Sequence, residues 1–304
     1  MKLGLLAVAA GKALSEDHAN LASHAVMSEA VTRLADMSLP LQGELLVRAI
    51  DTANLIGRGQ DIDQLLRHAE AFLEDEEQTF ESASLLLRLG RRKWRLGDGD
   101  SALSVLKRAE SIFEALGVER DAAICRGGVA DILAARGEPD EALRILREEQ
   151  LPVYERLGDV RSHAVTMGKI ADILAARGEP DEALRILREE QLPVLERLGD
   201  AREKSIALYK FAGLKIATGA LERGEVQEIY DALAEAFEIA ISLKIPDGIG
   251  STGFLLGQVI VLGGHYDDAI KVLEAAIAAF EVLGDDTRSE AAADFLDQIK
   301  ERQS

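Results

Sequence analysis

The chain has a single cysteine, Cys125, so no intrachain disulfide can form and nothing in the sequence ties the fold to an oxidising compartment. Aromatic residues are scarce, 4% of the chain, while Ala, Leu, Glu and Arg abound. These are strong helix formers whose preference sums over long windows, so an all-α protein is expected. No apolar run approaches the roughly 20 residues that a membrane-spanning helix needs. Positive charge is also in short supply: 35 Lys and Arg against 54 Asp and Glu leave a formal net charge of -19. Such a surface repels phosphate backbones and anionic headgroups, which argues against nucleic acid and membrane as partners and favours proteins of basic or mixed charge. The opening, Met1-Lys2 followed by Leu3 to Ala10 and interrupted by Lys12, is a feeble secretion signal, and a cytoplasmic location is expected.

At 304 residues the chain exceeds the usual size of a single core, so it holds either several domains or an elongated array. Comparison of the chain with itself decides for the array. The stretch Ala130 to Asp159 recurs at Ala171 to Asp200, an offset of 41 residues, with one difference, Tyr154 against Leu195. Weaker copies lie on both sides, where a glycine precedes an acidic turn and an Ala-Leu or Ala-Ile pair: Gly97 before Ala102-Leu103, and Gly264 before Ala269-Ile270. Gly57, Gly97, Gly137, Gly178, Gly219 and Gly264 mark six units at spacings of 40, 40, 41, 41 and 45 residues.

Each spacing fits two helices joined by short turns. A glycine just past a helix end takes the left-handed conformation that other residues resist. Pro139 and Pro180 stand where a second helix begins and a missing amide hydrogen costs nothing. In that second helix Ala142, Leu143, Ile145, Leu146, Val153 and Leu157 fall on one stripe, the face to be buried. Asp159 and Asp200 precede the next helical run, and Asp200 with Glu203 has the spacing of a reciprocal capping pair. Pro152 and Pro193, late in the second helix, are expected to bend or interrupt it at the same place in both copies.

This pattern resembles the tetratricopeptide repeat in a long form of about forty residues. The resemblance covers roughly residues 40 to 290. In the last unit the family's small and large positions are met by Leu256, Gly257, Ile260, Gly264, Ala269, Leu273 and Ala276; at Gly178 they are met by Ile170, Ala171, Leu174, Ala183 and Leu187. Glu190 stands where the family favours alanine, and Glu149 repeats the departure, which suggests looser packing there. The unit after Gly219 carries about four extra residues before Pro246. Residues 1–40 form an irregular helical segment that keeps a faint echo of the repeat in Leu3-Gly4 and Gly11, as though a first helix were entered partway. Residues 41–290 are expected to be the array and 291–304 a helical tail.

The resemblance implies an all-α fold, a right-handed α-α superhelix of antiparallel helix pairs whose first helices line a concave groove. The outward positions of those helices are Arg91, Trp94, Arg95, Asp131, Asp172, Tyr209, Phe254 and Gln258, the candidate partner-binding residues. Trp94 among Arg91, Arg92, Lys93 and Arg95 is the leading one, because aromatic and arginine side chains dominate interface hot spots; the competing reading makes that tryptophan a packing residue. Family members that capture acidic chaperone tails use basic and amide side chains here. Asp131 and Asp172 would repel such a tail.

Catalytic and metal constellations are not apparent in the sequence. His18, His24, His68, His163 and His265 share no ligand spacing. Asp98-Gly99-Asp100 lacks the rest of a calcium loop and reads as a repeat turn. Gly11-Lys12 lacks the glycine-rich lead of a phosphate loop. Cys125 sits on an apolar-periodic helix and reads as a small core residue. The acidic run Glu74-Asp75-Glu76-Glu77 reads as an inter-helix turn.

The expectation is therefore a non-enzymatic scaffold that needs no cofactor and binds a protein or peptide; a homo-oligomer is compatible with it. The alternative is the sensor or regulatory arm of a larger signalling ATPase, transcription regulator or protease. A helical enzyme hidden in the first 40 residues or in the unit after Gly219 is a third reading.

Overall fold

The computed structural model describes residues 26, 27, 29, 31, 39–55, 59–74 and 78–303. The chain falls into two compact units, Met1–Val153 and Tyr154–Ser304. In the first, α1 (Leu39–Leu55) pairs with α2 (Gly59–Glu74), and α3 (Phe80–Arg95) with α4 (Gly99–Ala115). The next pair joins α5 (Glu119–Ala135) to α6, which is built from Pro139–Arg144, Ile145–Gln150 and Leu151–Leu157 and runs across the boundary between the units at Val153. In the second unit α7 (Val160–Ala176) pairs with α8, built from Pro180–Arg185, Ile186–Gln191 and Leu192–Leu198. There follow α9 (Ala201–Ala217) with α10 (Val226–Ser242), α11 (Pro246–Leu262) with α12 (Tyr266–Leu283), and finally α13 (Asp286–Gln303).

Helices pack on their chain neighbours, and first helices of successive pairs also touch: α1 on α3 and α3 on α5 in one unit, α7 on α9 and α9 on α11 in the other. Contact limited to neighbours is the defining property of a helical solenoid. No strand occurs among the described residues. The all-α solenoid expected from the sequence is the fold found.

The glycine punctuation has its stated cause. Gly97, Gly137, Gly178, Gly219 and Gly264 have φ of 83°, 83°, 89°, 78° and 77°, with the chain reversing direction at each; Gly57 lies outside the described residues. A second glycine set closes second helices at Gly117, Gly158, Gly199 and Gly284, and in the lengthened unit Lys244 takes its place with φ 53°. Pro139 and Pro180 open α6 and α8 as expected. Asp159 and Asp200 cap α7 and α9 by accepting from the amides of Ser162 and Glu203 at 3.0 and 3.2 Å. The Glu203 carboxylate does not complete a reciprocal cap, because it faces Arg161 at 3.4 Å.

In two of the pairs, a glycine on the first helix admits a leucine from the second. A Cβ on Gly90 would stand 2.7 Å from Leu106, and one on Gly257 would stand 2.7 Å from Leu273, the same contact sixteen positions apart in two different units. Leu106 and Leu273 are both buried. Phe113 and Phe280 are the largest fully buried side chains among the described residues.

In α6 and α8 the winding changes midway. Ile145–Gln150 and Ile186–Gln191 are π-helical, with the amides of Leu151 and Leu192 bonding back five residues to Leu146 and Leu187. The interruption expected from Pro152 and Pro193 thus lies just upstream of each, and Pro193 stands in the first turn of the resumed α-helix, where its missing donor is tolerated. The wide turn carries one extra residue. It keeps Glu149 half-exposed, bonded to Arg144 at 2.7 Å, and turns Gln150 inward to 3% exposure. There the Gln150 amide donates to the Ala123 carbonyl at 2.8 Å, and a Cβ on Gly127 would stand 2.3 Å from its Nε2. Packing at this place is tight, contrary to the looser contact inferred from Glu149 and Glu190. Gln191 repeats the arrangement against Gly168 at 2.4 Å.

Candidate functional site

The basic run Arg91-Arg92-Lys93-Trp94-Arg95 ends α3, and helical periodicity splits it between two faces. On one face Arg92 grips the Asp63 carboxylate of α2 with two bonds of 2.7 Å, and Lys93 reaches Glu70 at 3.3 Å. The Arg92 guanidinium holds Asp63 below the usual carboxylate range. On the other face Arg91 and Arg95 are exposed and, with half-buried Trp94, line a cavity of about 530 Å³.

The cavity draws on the first helices of three successive pairs. Ile50 and Asp51 come from α1, Leu87 and Arg88 from α3 and Asp121 and Ile124 from α5, with Ile62 of α2 completing the lining. Its volume lies within the range of ligand pockets, roughly 300–1,000 Å³. Arg88 bonds both oxygens of Asp51, at 2.8 and 2.5 Å, so those two charges neutralise each other and tie α3 to α1. Trp94 serves packing as well: its Cζ3 lies 3.5 Å from where a Cβ on Gly99 would stand.

Of the eight sequence candidates, Arg91, Trp94 and Arg95 share this cavity, and the other five lie outside it. Asp131 is half-buried on α5. In the second unit Asp172 of α7 is exposed and bonded to Lys210 of α9 at 2.6 Å, so its charge is offset. Tyr209 is half-buried on α9. Gln258 and Phe254 are half-buried on α11, and the Phe254 ring meets Phe295 of α13 edge-on at 6.3 Å, a packing contact.

The sequence reading missed Ile50, Ile62, Leu87, Arg88, Asp51, Asp121 and Ile124. The available signal was helical: Leu87 and Arg88 lie one turn before Arg91 and so share its face. It also missed a second cavity, of about 390 Å³, where Tyr230 and Gln227 of α10 meet Ile260 of α11 and His265 and Asp268 at the start of α12.

The lengthened turn after Gly219 contains an ion cluster. Lys215, 5% exposed, reaches Glu225 at 2.5 Å and also bonds Glu228, while Arg223 holds Glu225 at 2.7 Å. The bond from the Lys215 ammonium, with help from Arg223, pulls Glu225 down to about 2. Burial pushes the Cys125 thiol up to about 12, which leaves it a neutral core side chain. No group of three or more potential metal ligands occurs among the described residues, and no described helix is long and apolar enough to cross a membrane.

These features define a helical repeat protein with a concave, partly cationic cavity on its first helices. Residues 125–148 and 171–189 match the tetratricopeptide repeat family, and the chain carries tetratricopeptide-type repeats. The sequence matches no curated protein. Among solved structures it is similar to a Rap protein complexed with competence and sporulation factor, with a TM-score of 0.69, 16% identity, and 96% of this chain and 80% of that chain covered. It is also similar to a plasmid Rap conjugation gene regulator in complex with a Phr peptide, with a TM-score of 0.60, 16% identity, and 87% and 75% covered. A third is a signal transduction ATPase with a tetratricopeptide repeat sensor from Pyrococcus horikoshii, with a TM-score of 0.60, 16% identity, and 88% of this chain and 42% of that chain covered. At these identities the likeness concerns the fold.

Proposed function

We propose that the chain is a non-catalytic scaffold that holds a peptide segment of a partner protein against the first helices of its repeats, with the cavity at Trp94 as the anchoring site. The observation that carries this reading is the cavity itself, where an aromatic ring and two exposed arginines meet an apolar floor of Ile50, Ile62, Leu87 and Ile124. Aromatic and arginine anchors around desolvated pockets supply most of the energy in protein interfaces. Solved proteins of the same fold in complex with a signalling factor and with a Phr peptide add support. The second reading, a sensor arm of a larger signalling ATPase, is favoured by the likeness to the repeat sensor of such a protein, and it uses the same groove.

Trp94 is the chain's single tryptophan, so its emission reports on this cavity alone. Random dodecapeptides displayed on phage are selected on the intact chain, and the winners are titrated while Trp94 emission is followed. A saturable spectral shift is expected, together with roughly tenfold or greater weakening by Arg91→Ala combined with Arg95→Ala. Winners that bind without altering the emission, and equally well to the double variant, refute the assignment of the site.

A further inference from the structure

We infer that the second cavity, where α10, α11 and α12 meet, is a docking site for an arginine side chain of a partner protein. The inference is independent of the Trp94 cavity and of what binds there.

The repeat itself supplies the template. In the first unit α5 ends at Arg136, whose side chain reaches back to the opening turn of the preceding second helix, α4. Its guanidinium bonds the Asp100 carboxylate at 2.5 Å and lies 3.4 Å from where a Cβ on Gly99 would stand, so it rests on the first two residues of α4. The same joint recurs in the second unit between α10 and α11. There the opening residues are Val226 and Gln227, and the position just past the last helical residue, Arg136 in the earlier joint, is Gly263. Glycine sends no side chain over the joint. Val226, Gln227 and Gly263 line an open cavity of about 390 Å³ instead. A guanidinium is therefore what the joint accepts where the chain supplies one, and at Gly263 it has to come from elsewhere.

The lining has the chemistry to receive one. It contains no lysine or arginine among the described residues. Its carboxylate is Asp268, in the first turn of α12, and a guanidinium matches a carboxylate with two parallel hydrogen bonds. Gln227 donates through Nε2 to Asp231 at 2.8 Å, which leaves its amide oxygen as an acceptor. The Tyr230 ring, 40% exposed, offers a face on which a guanidinium stacks. Val259 and Ile260 are buried and apolar, a bed for the aliphatic stem of an arginine. Asp268 has a partner of its own, Lys271 at 3.1 Å, but the two side chains are 67% and 73% exposed and three positions apart on one helix. Pairs so exposed contribute little, so the ammonium yields to an incoming guanidinium. The source is a protein because sites for free small molecules bury most of the ligand's surface, whereas Gln227, Tyr230, His265 and Asp268 are all exposed. A side chain enters such a cavity on a backbone that stays outside it. The net charge of -19 steers a basic segment toward the chain.

The test uses the intact chain labelled with fluorotyrosine, whose four tyrosines give four fluorine NMR resonances, with Tyr230 assigned by Tyr230→Phe. Acetylated and amidated Gly-Arg-Gly is titrated in, beside the same peptide with citrulline, the neutral match in shape, in place of arginine. Expected is a saturable shift of the Tyr230 resonance with arginine and none with citrulline, weakened roughly two- to fivefold by Asp268→Asn and strengthened by Lys271→Ala. Gly263→Arg supplies a guanidinium from within, at a position where φ is -81° and an added Cβ comes within 3.1 Å of the His265 ring. It should move the Tyr230 resonance toward its arginine-bound position and abolish the titration. Should that variant not fold, the exposed Asp268→Asn carries the decision. Equal shifts with arginine and citrulline overturn the inference, as does arginine binding that Asp268→Asn or a folded Gly263→Arg leaves unchanged. Free arginine binding more tightly than the peptide overturns the assignment to a protein partner.

Discussion

Replacing Gly127 by alanine sets a helix preference against a packing constraint, and the structure predicts which prevails. Alanine is better than glycine inside a helix by about 0.8–1 kcal/mol, and Gly127 lies in the middle of α5. Its Cβ, however, would stand 2.3 Å from Gln150 Nε2 and 3.1 Å from Gln150 Cδ. The amide must retreat by about 1 Å to reach ordinary contact, which breaks its 2.8 Å bond to the Ala123 carbonyl in a place with no access to water. A buried polar group left unpaired costs about 1–3 kcal/mol, and overpacking costs about 1–3 kcal/mol more. Net destabilisation of about 1–5 kcal/mol is expected once the helix gain is subtracted. In a Gln150→Ala background the obstacle is gone, so the same Gly127→Ala change should stabilise by up to about 1 kcal/mol. The sign reversal is the diagnostic, a coupling of about 2–6 kcal/mol in a double-mutant cycle. Urea unfolding followed by Trp94 emission reads it in the unit that contains both residues. A Gly127→Ala penalty of the same size in both backgrounds refutes the reasoning.

Other consequences are simpler. Gly137→Ala meets no atom within 4 Å but must hold φ at 83°, so a loss of roughly 1–2 kcal/mol should appear in thermal melts with no change in peptide binding. Phe280→Ala empties a fully buried site under the Arg288 guanidinium, and a loss of about 3–5 kcal/mol is expected by urea titration of the chain. Glu225 is pulled from its ordinary value near 4.5 down to about 2, so its stabilising contribution is fully present above pH 4.5 and is lost as pH falls toward 2. NMR titration of its side-chain carboxyl should show the low midpoint, and Glu225→Gln should flatten that part of the stability curve; a midpoint near 4.5 would contradict the lysine contact.

The fold was legible because its punctuation is conformational. A glycine with φ near 80° leaves the same trace wherever it occurs, and Pro139 and Pro180 mark helix starts for a reason local to the backbone. Side-chain pairing across repeats was not legible. Nothing local to Asp172 announces Lys210 thirty-eight positions on, and nothing in the run Arg91 to Arg95 says that Arg92 and Lys93 will meet Asp63 and Glu70 while Arg91 and Arg95 line the cavity. The cavity floor was hidden for the same reason. Ile50, Leu87 and Ile124 come together only because three first helices stack, whereas Trp94 could be named because its residue type is rare in the chain.

The uneven period has a physical explanation that joins these two levels. The unit opened by Gly97 closes at Gly137 after 40 residues and its second helix, α4, is α-helical throughout; the next two, opened by Gly137 and Gly178, take 41 and each contains a π turn. One added residue in a helix either rotates every later side chain by about 100° or is absorbed in a single wide turn. Absorption keeps Tyr154 and Leu195 buried downstream of the turn, at 3% and 0% exposure. The inserted turn is also what carries Gln150 and Gln191 inward onto Gly127 and Gly168, so the glycine on the first helix and the glutamine on the second form one structural device present in both copies. The 45-residue unit absorbs its surplus differently, in the turn after Gly219, where Lys215 is bonded to Glu225 and Glu228 on the far side of the extra residues. Deleting Gln150 should therefore convert α6 to continuous α-helix without shifting Tyr154 from its buried place, a change that amide hydrogen exchange at Leu151 would register.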